Sequence, residues 1–332
     1  MRGNSDILNF YEHDRKISAV CGDIDGILFA QPSKMFNFST LEGENLNTML
    51  LRGSIQIQNK SLDTKPFVEL PGVVVCMING NDNDFYILRY IPNTSRISRN
   101  FYFDVLERET GRIIQSTNLP RAVSYLYMLK DNAICAWSES FQLFSSDRGK
   151  TWSELPHTIR GYAYGCGSGD SMFFLRGGVL SEVEGKAVRQ GRLEQKIIVQ
   201  GDSTASSLVQ DEDSGYFYTI VKQNDNFFIH QFFGKEEIFL CDDSEDPGHG
   251  LVELEYAKNG QFYASASFMK HPFHMANYLI VTNGKSLLRS RNYLDSPKLI
   301  GHVDNWIFFN ARAGLQGYVF FYVNINELFT DS

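Results

Sequence analysis

The chain has 332 residues, 43% of them hydrophobic and 14% aromatic, which is ample for a large buried core and excludes a disordered protein. Its 39 acidic residues outnumber 31 basic ones, and a formal net charge of -8 argues against binding along a nucleic-acid backbone, which needs a basic face. The same charge suits a basic protein partner, and equally an ordinary soluble surface.

The start, "MRGNSDILNFYEHDRK", puts no apolar run behind its basic residue, so no signal peptide is expected there. No later stretch reaches membrane-span length, and no membrane partner is expected. The five cysteines, Cys21, Cys76, Cys135, Cys166 and Cys241, form no C-x-x-C pair. Four of them sit among small or apolar residues, as buried thiols in a reducing compartment do, which gives a cytoplasmic expectation.

Helical periodicity is nearly absent. Short aromatic and aliphatic runs recur instead, each after a polar turn. In chain order they are "GILFAQ" (26–31), "DFYILRY" (84–90), "NAICAW" (132–137), "SMFFLR" (171–176), "GYFYTIV" (215–221), "GQFYASASF" (260–268) and "NWIFFNA" (305–311). Another short run precedes many of these turns, such as "ISAVC", "GVVVCMI", "SYLYML" or "LVELEY". Asx and Gly residues supply the tight hairpins between them.

A second turn, centred on one glycine, follows in each unit: Gly43, Gly111, Gly149, Gly185, Gly234, Gly284 and Gly317. The average repeat of about 45 residues matches a four-stranded propeller blade. The expectation is an all-β propeller of seven four-stranded blades in a single domain over 1–332, with six or eight blades left open by a soft register. A pair of β-sandwiches and a β-helix are the competing folds. Extra length in the first blade falls between Arg52 and Glu69. "DILNFYE" (6–12) can supply the outer strand of the last blade, so that N- and C-terminal strands pair and close the ring.

The stretch "SSDRGKTW" (145–152) resembles the Asp box, S-x-D-x-G-x-T-W, found in sialidases and many other propellers (the BNR repeat). Ser145, Asp147, Gly149, Thr151 and Trp152 all match, and the other six turns are degenerate copies at best. The resemblance implies a structural element between the third and fourth strands of a blade, on the outer rim and away from the central axis. Asp147 would accept backbone N–H groups of its own turn, and Trp152 would bury its ring between sheets.

Sialidase chemistry needs an arginine clamp for a carboxylate, a nucleophile pair and an acid/base carboxylate. "LRYIP" (88–92) departs from the family's F/Y-R-I-P stretch by one inserted residue, which makes Arg89 a poor match. Arg121, Arg176, Arg291 and Arg312 also lie near strands, without a motif around them. No catalytic residue is therefore assigned. The acidic runs 211–213 and 242–246 lack EF-hand spacing, His271 and His274 lack further ligands, and "CGSGDS" (166–171) reads as a hairpin turn rather than a nucleophile elbow. Neither a metal nor a cofactor is expected.

Insertions between blade strands lie on a propeller's faces and are where a partner would dock. The candidates are Arg96, Arg99, Phe101 and Tyr102 in one excursion, Phe273, His274 and Met275 in another, and Asp211, Asp213, Asp242 and Asp243 in acidic loops. The function read from this pattern is a non-catalytic protein-binding propeller, in its specific form an inhibitor or immunity-type protein that caps a basic partner. A sialidase-like glycoside hydrolase and a carbohydrate-binding lectin are the alternatives.

Overall fold

Each apolar run pairs with its sequence neighbours, so the sheets build up from consecutive hairpins. The computed structural model describes residues 6–7, 11–13, 16–23, 26–33, 46–56, 61–80, 83–92, 99–155, 163–200, 204–224, 226–232, 234, 237–242, 250–271, 274–312 and 317–329. It shows seven antiparallel sheets of four strands arranged as a propeller, with almost no helix. Blade 1 runs Ala19–Asp23, Gly26–Pro32, Asn47–Gln56 and Ser61–Pro71 from the axis outward. Blade 2 runs Val73–Asn79, Asp84–Pro92, Arg99–Glu107 and Ile113–Leu119. Blade 3 runs Tyr125–Met128, Ile134–Trp137, Gln142–Ser145 and Ser153–Glu154. Blade 4 runs Tyr164–Ser168, Ser171–Arg176, Val179–Glu184 and Lys196–Gln200. Blade 5 runs Ser206–Gln210, Phe217–Gln223, Asn226–Gln231 and Glu237–Asp242. Blade 6 runs Leu251–Lys258, Gln261–His271, His274–Thr282 and Leu287–Arg289, with Asp6–Ile7 added in parallel at its outer edge.

Blade 7 is a composite. Its inner strands are Lys298–Val303, Trp306–Arg312 and Tyr318–Asn324, and its outer strand is Tyr11–His13 from the other end of the chain. Tyr11 lies opposite Tyr322, and His13 opposite Phe320. All seven apolar runs read from the sequence form second strands. Of the seven glycine turns, those at Gly111, Gly149, Gly185, Gly234 and Gly284 fall between third and fourth strands. Gly317 instead falls between second and third strands, because the fourth strand of its blade comes from the N-terminus. Gly43 lies outside the described residues, also between a second and a third strand. The extra length of blade 1 sits there, at 33–46. Within the span from Arg52 to Glu69 lie parts of two long strands, which pair from Asn47↔Pro71 to Gln56↔Ser61 with one bulge between Leu50 and Leu51.

Between blades the facing sides of the sheets bury aromatic rings, each worth about 2–3 kcal/mol when fully removed from water. Where blade 7 meets blade 1, Phe29 packs edge-on against Phe308 and Phe320 at 5.9 and 6.0 Å. Tyr293, in the segment joining blades 6 and 7, stacks on Phe321 at 5.3 Å with the rings 3° from parallel.

The stretch 145–152 forms the turn that joins the third and fourth strands of blade 3. Ser145 Oγ accepts from the Gly149 amide at 2.8 Å and donates to Asp147 Oδ1 at 2.8 Å. Asp147 accepts from the Thr151 amide at 2.9 Å and from Thr151 Oγ1 at 2.6 Å. Burial alone would push the Asp147 carboxyl up, but the Thr151 and Ser145 hydrogen bonds outweigh it and hold the group below its usual range. Trp152 Nε1 donates back to Gly149 O at 3.0 Å. The indole then meets Phe103 of blade 2 edge-on, at 5.4 Å and 68°. Arg148 pairs with the buried Asp84, also in blade 2. The turn thus fastens one blade to the next.

Gly149 is required twice over. Its φ is +78°, and a Cβ there would lie 2.2 Å from the Phe103 ring. Gly149→Ala is expected to lower stability by about 2–4 kcal/mol in urea unfolding, the sum of backbone strain and overpacking. Wild-type stability in that variant would contradict the packing of this turn.

Candidate functional site

The innermost strands run in the same sense around the axis and enclose a channel of about 540 Å³, lined from all seven blades. We call the face where these strands begin the upper face. It carries the turns between second and third strands and the connections between blades. The lower face carries the other two sets of turns.

Alternation along the innermost strands decides what faces the channel. In Leu251–Lys258 the residues Val252 and Leu254 are buried against blade 5, while Glu253 and Glu255 turn toward Lys298; a bulge between Leu254 and Tyr256 then carries Tyr256 to the blade 7 side. The start of the adjacent strand brings up Lys298. Its Nζ lies 2.7 Å from Glu253 Oε2 and 3.5 Å from Glu255 Oε1. Ser265 Oγ also donates to Glu255, at 2.8 Å. Burial raises the Glu255 carboxyl above its usual range, with Lys298 opposing. Desolvation would lower the Lys298 ammonium, but Glu255 and Glu253 together hold it above its ordinary value.

Across the mouth stand Tyr125, Trp137, Glu139 and Tyr164. Tyr125 stacks on Trp137 at 5.3 Å and 28°, and half its surface (50%) is exposed. Desolvation in the mouth, followed by the charge of Glu255, pushes the Tyr125 hydroxyl up to about 12. Tyr164 is raised in the same way, by desolvation and then by Glu253 and Glu139. Small residues make this wall. A Cβ on Gly165 would lie 2.4 Å from Trp137 Nε1, and one on Gly167 would lie 2.2 Å from the Tyr127 ring. The strand "YGCGS" is therefore flat enough for two blade 3 rings to lie across it.

At the lower end His302 Nε2 lies 3.4 Å from Glu212 Oε1, and Tyr256 Oη lies 3.4 Å from His302 Nδ1. Burial holds the imidazole below its usual value, with Glu212 opposing. Cys76 and Cys166 also line the wall, and burial pushes both thiols up to about 12. Among the described residues, no three His, Cys, Asp or Glu side chains come together to hold a metal ion.

The residues singled out from the sequence scatter over both faces. Arg96, Asp243 and Phe273 lie outside the described residues. Arg99, Asp242 and His274 sit at strand ends on the upper face, and their side chains are outside the described residues too. Phe101 is buried against Tyr90, with ring centres 5.7 Å apart. Tyr102 carries the Arg89 guanidinium over its ring at 4.8 Å. Arg89 is itself buried, paired with Asp104 and donating to Pro71 O at 2.9 Å. Arg121 pairs with Glu154, and Arg291 lies 5.4 Å over Tyr293. No arginine lines the described channel. Met275 is exposed on the upper rim of blade 6.

Asp211 and Asp213 are on the lower face and latch two blades together. Asp211 Oδ2 accepts from the Gly260 amide at 2.9 Å, and Asp213 Oδ2 from the Asn259 amide at 3.0 Å. Asp170 does the same one blade earlier, accepting from the Lys130 amide at 2.9 Å while Arg189 grips it at 2.7 and 2.8 Å.

No protein-family model and no curated protein matches the chain. Its backbone is similar to solved propellers. One is YCF48 bound to D1 peptide, 11% identical with a TM-score of 0.55 over 96% of this chain and 97% of the other. A second is the β-propeller domain of Myceliophteria thermophila Cps50 (Swd1), 8% identical with a TM-score of 0.55 over 94% and 98%. A third is the WD40 domain from Toxoplasma gondii coronin, 10% identical with a TM-score of 0.52 over 96% and 88%. At these identities the likeness establishes the fold. No helix among the described residues is long and apolar enough to cross a membrane.

Asp211→Ala is expected to lower stability by about 2 kcal/mol in denaturant unfolding, the loss of charge-assisted hydrogen bonds to backbone amides. A stability equal to wild type would contradict the latch.

Proposed function

We propose that this chain is a protein-binding propeller that docks a basic partner on its upper face, over the channel mouth. The observation that carries the reading is the mouth itself. Three carboxylates, of Glu139, Glu253 and Glu255, stand there against one ammonium, that of Lys298, beside a half-exposed stacked tyrosine. Leu251, Met275 and Leu294 are exposed by 53%, 53% and 49% at the same end of blade 6. Acidic and aromatic groups beside exposed apolar ones make a surface suited to a basic protein.

The peptide in the YCF48 structure supports protein or peptide binding by a propeller of this shape. The net charge of -8 supports the finer reading, an inhibitor or immunity-type protein. The hydrogen bonds of Ser145, Asp147 and Thr151 support placing the chain among the Asp-box propellers. The buried thiols of Cys21 and Cys135 support a reducing, cytoplasmic setting.

A carbohydrate reading has one observation in its favour. Glu253 and Glu255 both reach Lys298 Nζ, burial raises the Glu255 carboxyl, and a ring platform stands opposite. Glu255 is already taken by Ser265 and Lys298, which weighs against its acting as an acid. A panel of chromogenic glycosides, repeated with Glu253→Gln, separates this reading from protein binding.

For protein binding, the partner captured by the full chain is expected to associate about tenfold more slowly with Glu139→Lys at low salt. That difference should shrink at about 0.5 M salt, where exposed charges are screened. A partner whose association ignores both salt and Glu139 would contradict docking at this mouth.

A further inference from the structure

The channel mouth sets an aromatic platform beside carboxylates. Tyr125 lies on Trp137 with its rings 28° from parallel, so its outer side is presented as a flat platform. Half of Tyr125 stays exposed, although the platform is held in place by the buried Trp137 beneath it. Glu139 follows Trp137 by two residues, in the turn between the second and third strands of blade 3, and is exposed. Its backbone is fixed by the Ala163 amide, which donates to Glu139 O at 2.9 Å. Glu253 stands across the mouth. Lys298 engages it through Oε2, and a carboxylate accepts up to about four hydrogen bonds, so capacity remains for a second donor.

We infer that the mouth takes an arginine side chain from a segment of the partner protein, its guanidinium lying on Tyr125 between Glu139 and Glu253. This rests on the protein-binding reading and narrows it to one side chain. A guanidinium is planar, weakly hydrated and carries donors on two edges. It can stack on a ring and reach separate carboxylates at once. An ammonium is compact and strongly hydrated, and offers no plane to the tyrosine. The native ammonium, Lys298, is already shared by two carboxylates, which leaves the mouth with more negative than positive charge. Leu251 begins the same strand as Glu253, two residues earlier, and is exposed. Met275 and Leu294 continue that apolar rim outward on blade 6. Asn277 Nδ2 donates to Leu294 O at 2.9 Å and ties the two segments together. Apolar residues next to the arginine in the partner segment would settle there.

The test uses the full chain and capped pentapeptides, Ala-Leu-Xaa-Leu-Ala, with arginine, lysine, citrulline or alanine at Xaa, titrated by calorimetry to millimolar concentration. The arginine peptide is expected to bind at least tenfold more tightly than the lysine peptide. Citrulline, which keeps the shape and loses the charge, should bind as weakly as alanine. Tyr125→Ala and Glu139→Gln should each weaken the arginine peptide at least fivefold while the chain stays folded, with an unchanged far-ultraviolet circular dichroism spectrum. Equal binding of arginine and lysine peptides, no binding by any of them, or indifference to Tyr125→Ala would overturn the inference. So would a neutral oligosaccharide that binds at Tyr125 in place of the peptide. A protein partner captured with full salt sensitivity, yet unaffected by both variants, sinks the arginine mouth and leaves the protein-binding reading standing. The absence of any salt-sensitive partner sinks that reading itself.

Discussion

Everything in this molecule depends on closing the ring. Six blades complete their four strands from consecutive chain, and the seventh cannot. Three of its strands come from the C-terminal end, and the fourth, Tyr11–His13, crosses from the N-terminal end to pair with Phe320–Tyr322. Without that strand, Tyr318–Asn324 would present an open edge of unpaired N–H and C=O groups. With it, Phe308 and Phe320 are held against Phe29 of blade 1, and all three rings are fully buried. Asp6–Ile7 extends the same tie into blade 6.

Closure in turn creates the channel, because seven innermost strands must point one set of side chains at a common axis. What stands there follows the alternation of each innermost strand, reset where bulges interrupt it, as beside Val74, Leu254 and Leu299. In blade 6 this leaves two glutamates and a leucine on the axis side. In blade 4 it leaves glycines, so that rings of blade 3 can cover the wall. The lower face does a different task. There, acids in the first turn of a blade accept amides of the neighbouring blade, at Asp170, Asp211 and Asp213. The acidic surface is thus divided between fastening on one face and a mouth on the other.

The fold was legible because its signals are local. Aromatic runs bounded by Asx and Gly turns mark second strands, and all seven do so here. The turn at Ser145–Trp152 was legible for the same reason, since the hydrogen bonds that shape it lie within eight residues, and only its contacts to blade 2, with Phe103, Asp84 and Gln115, reach outside. Blade 1 departs from the sequence expectation in detail. Its third and fourth strands are long enough to look like an insertion, while the added length lies before them. In "CGSGDS" Cys166–Ser168 belong to an innermost strand, and only Gly169 and Asp170 make the hairpin turn that the sequence suggests for the whole stretch. Gly167 there serves ring packing, while Gly169, at φ +58°, makes the chain reversal. The mouth is not legible in the sequence, because Tyr125, Glu139, Glu253 and Lys298 come from three blades and share no motif. The alternation in "LVELEY" was the one signal on offer, and it has meaning only once that strand is known to be innermost.

The most direct test of closure is removal of the strand that makes it. A chain lacking residues 1–13 should unfold at a clearly lower temperature than the full chain, with fast amide exchange throughout Tyr318–Asn324. A peptide of residues 1–15 added in trans should restore both. Unchanged stability and unchanged exchange in the shortened chain would contradict the account, because the ring would then hold without the pairing on which the channel and its mouth are built.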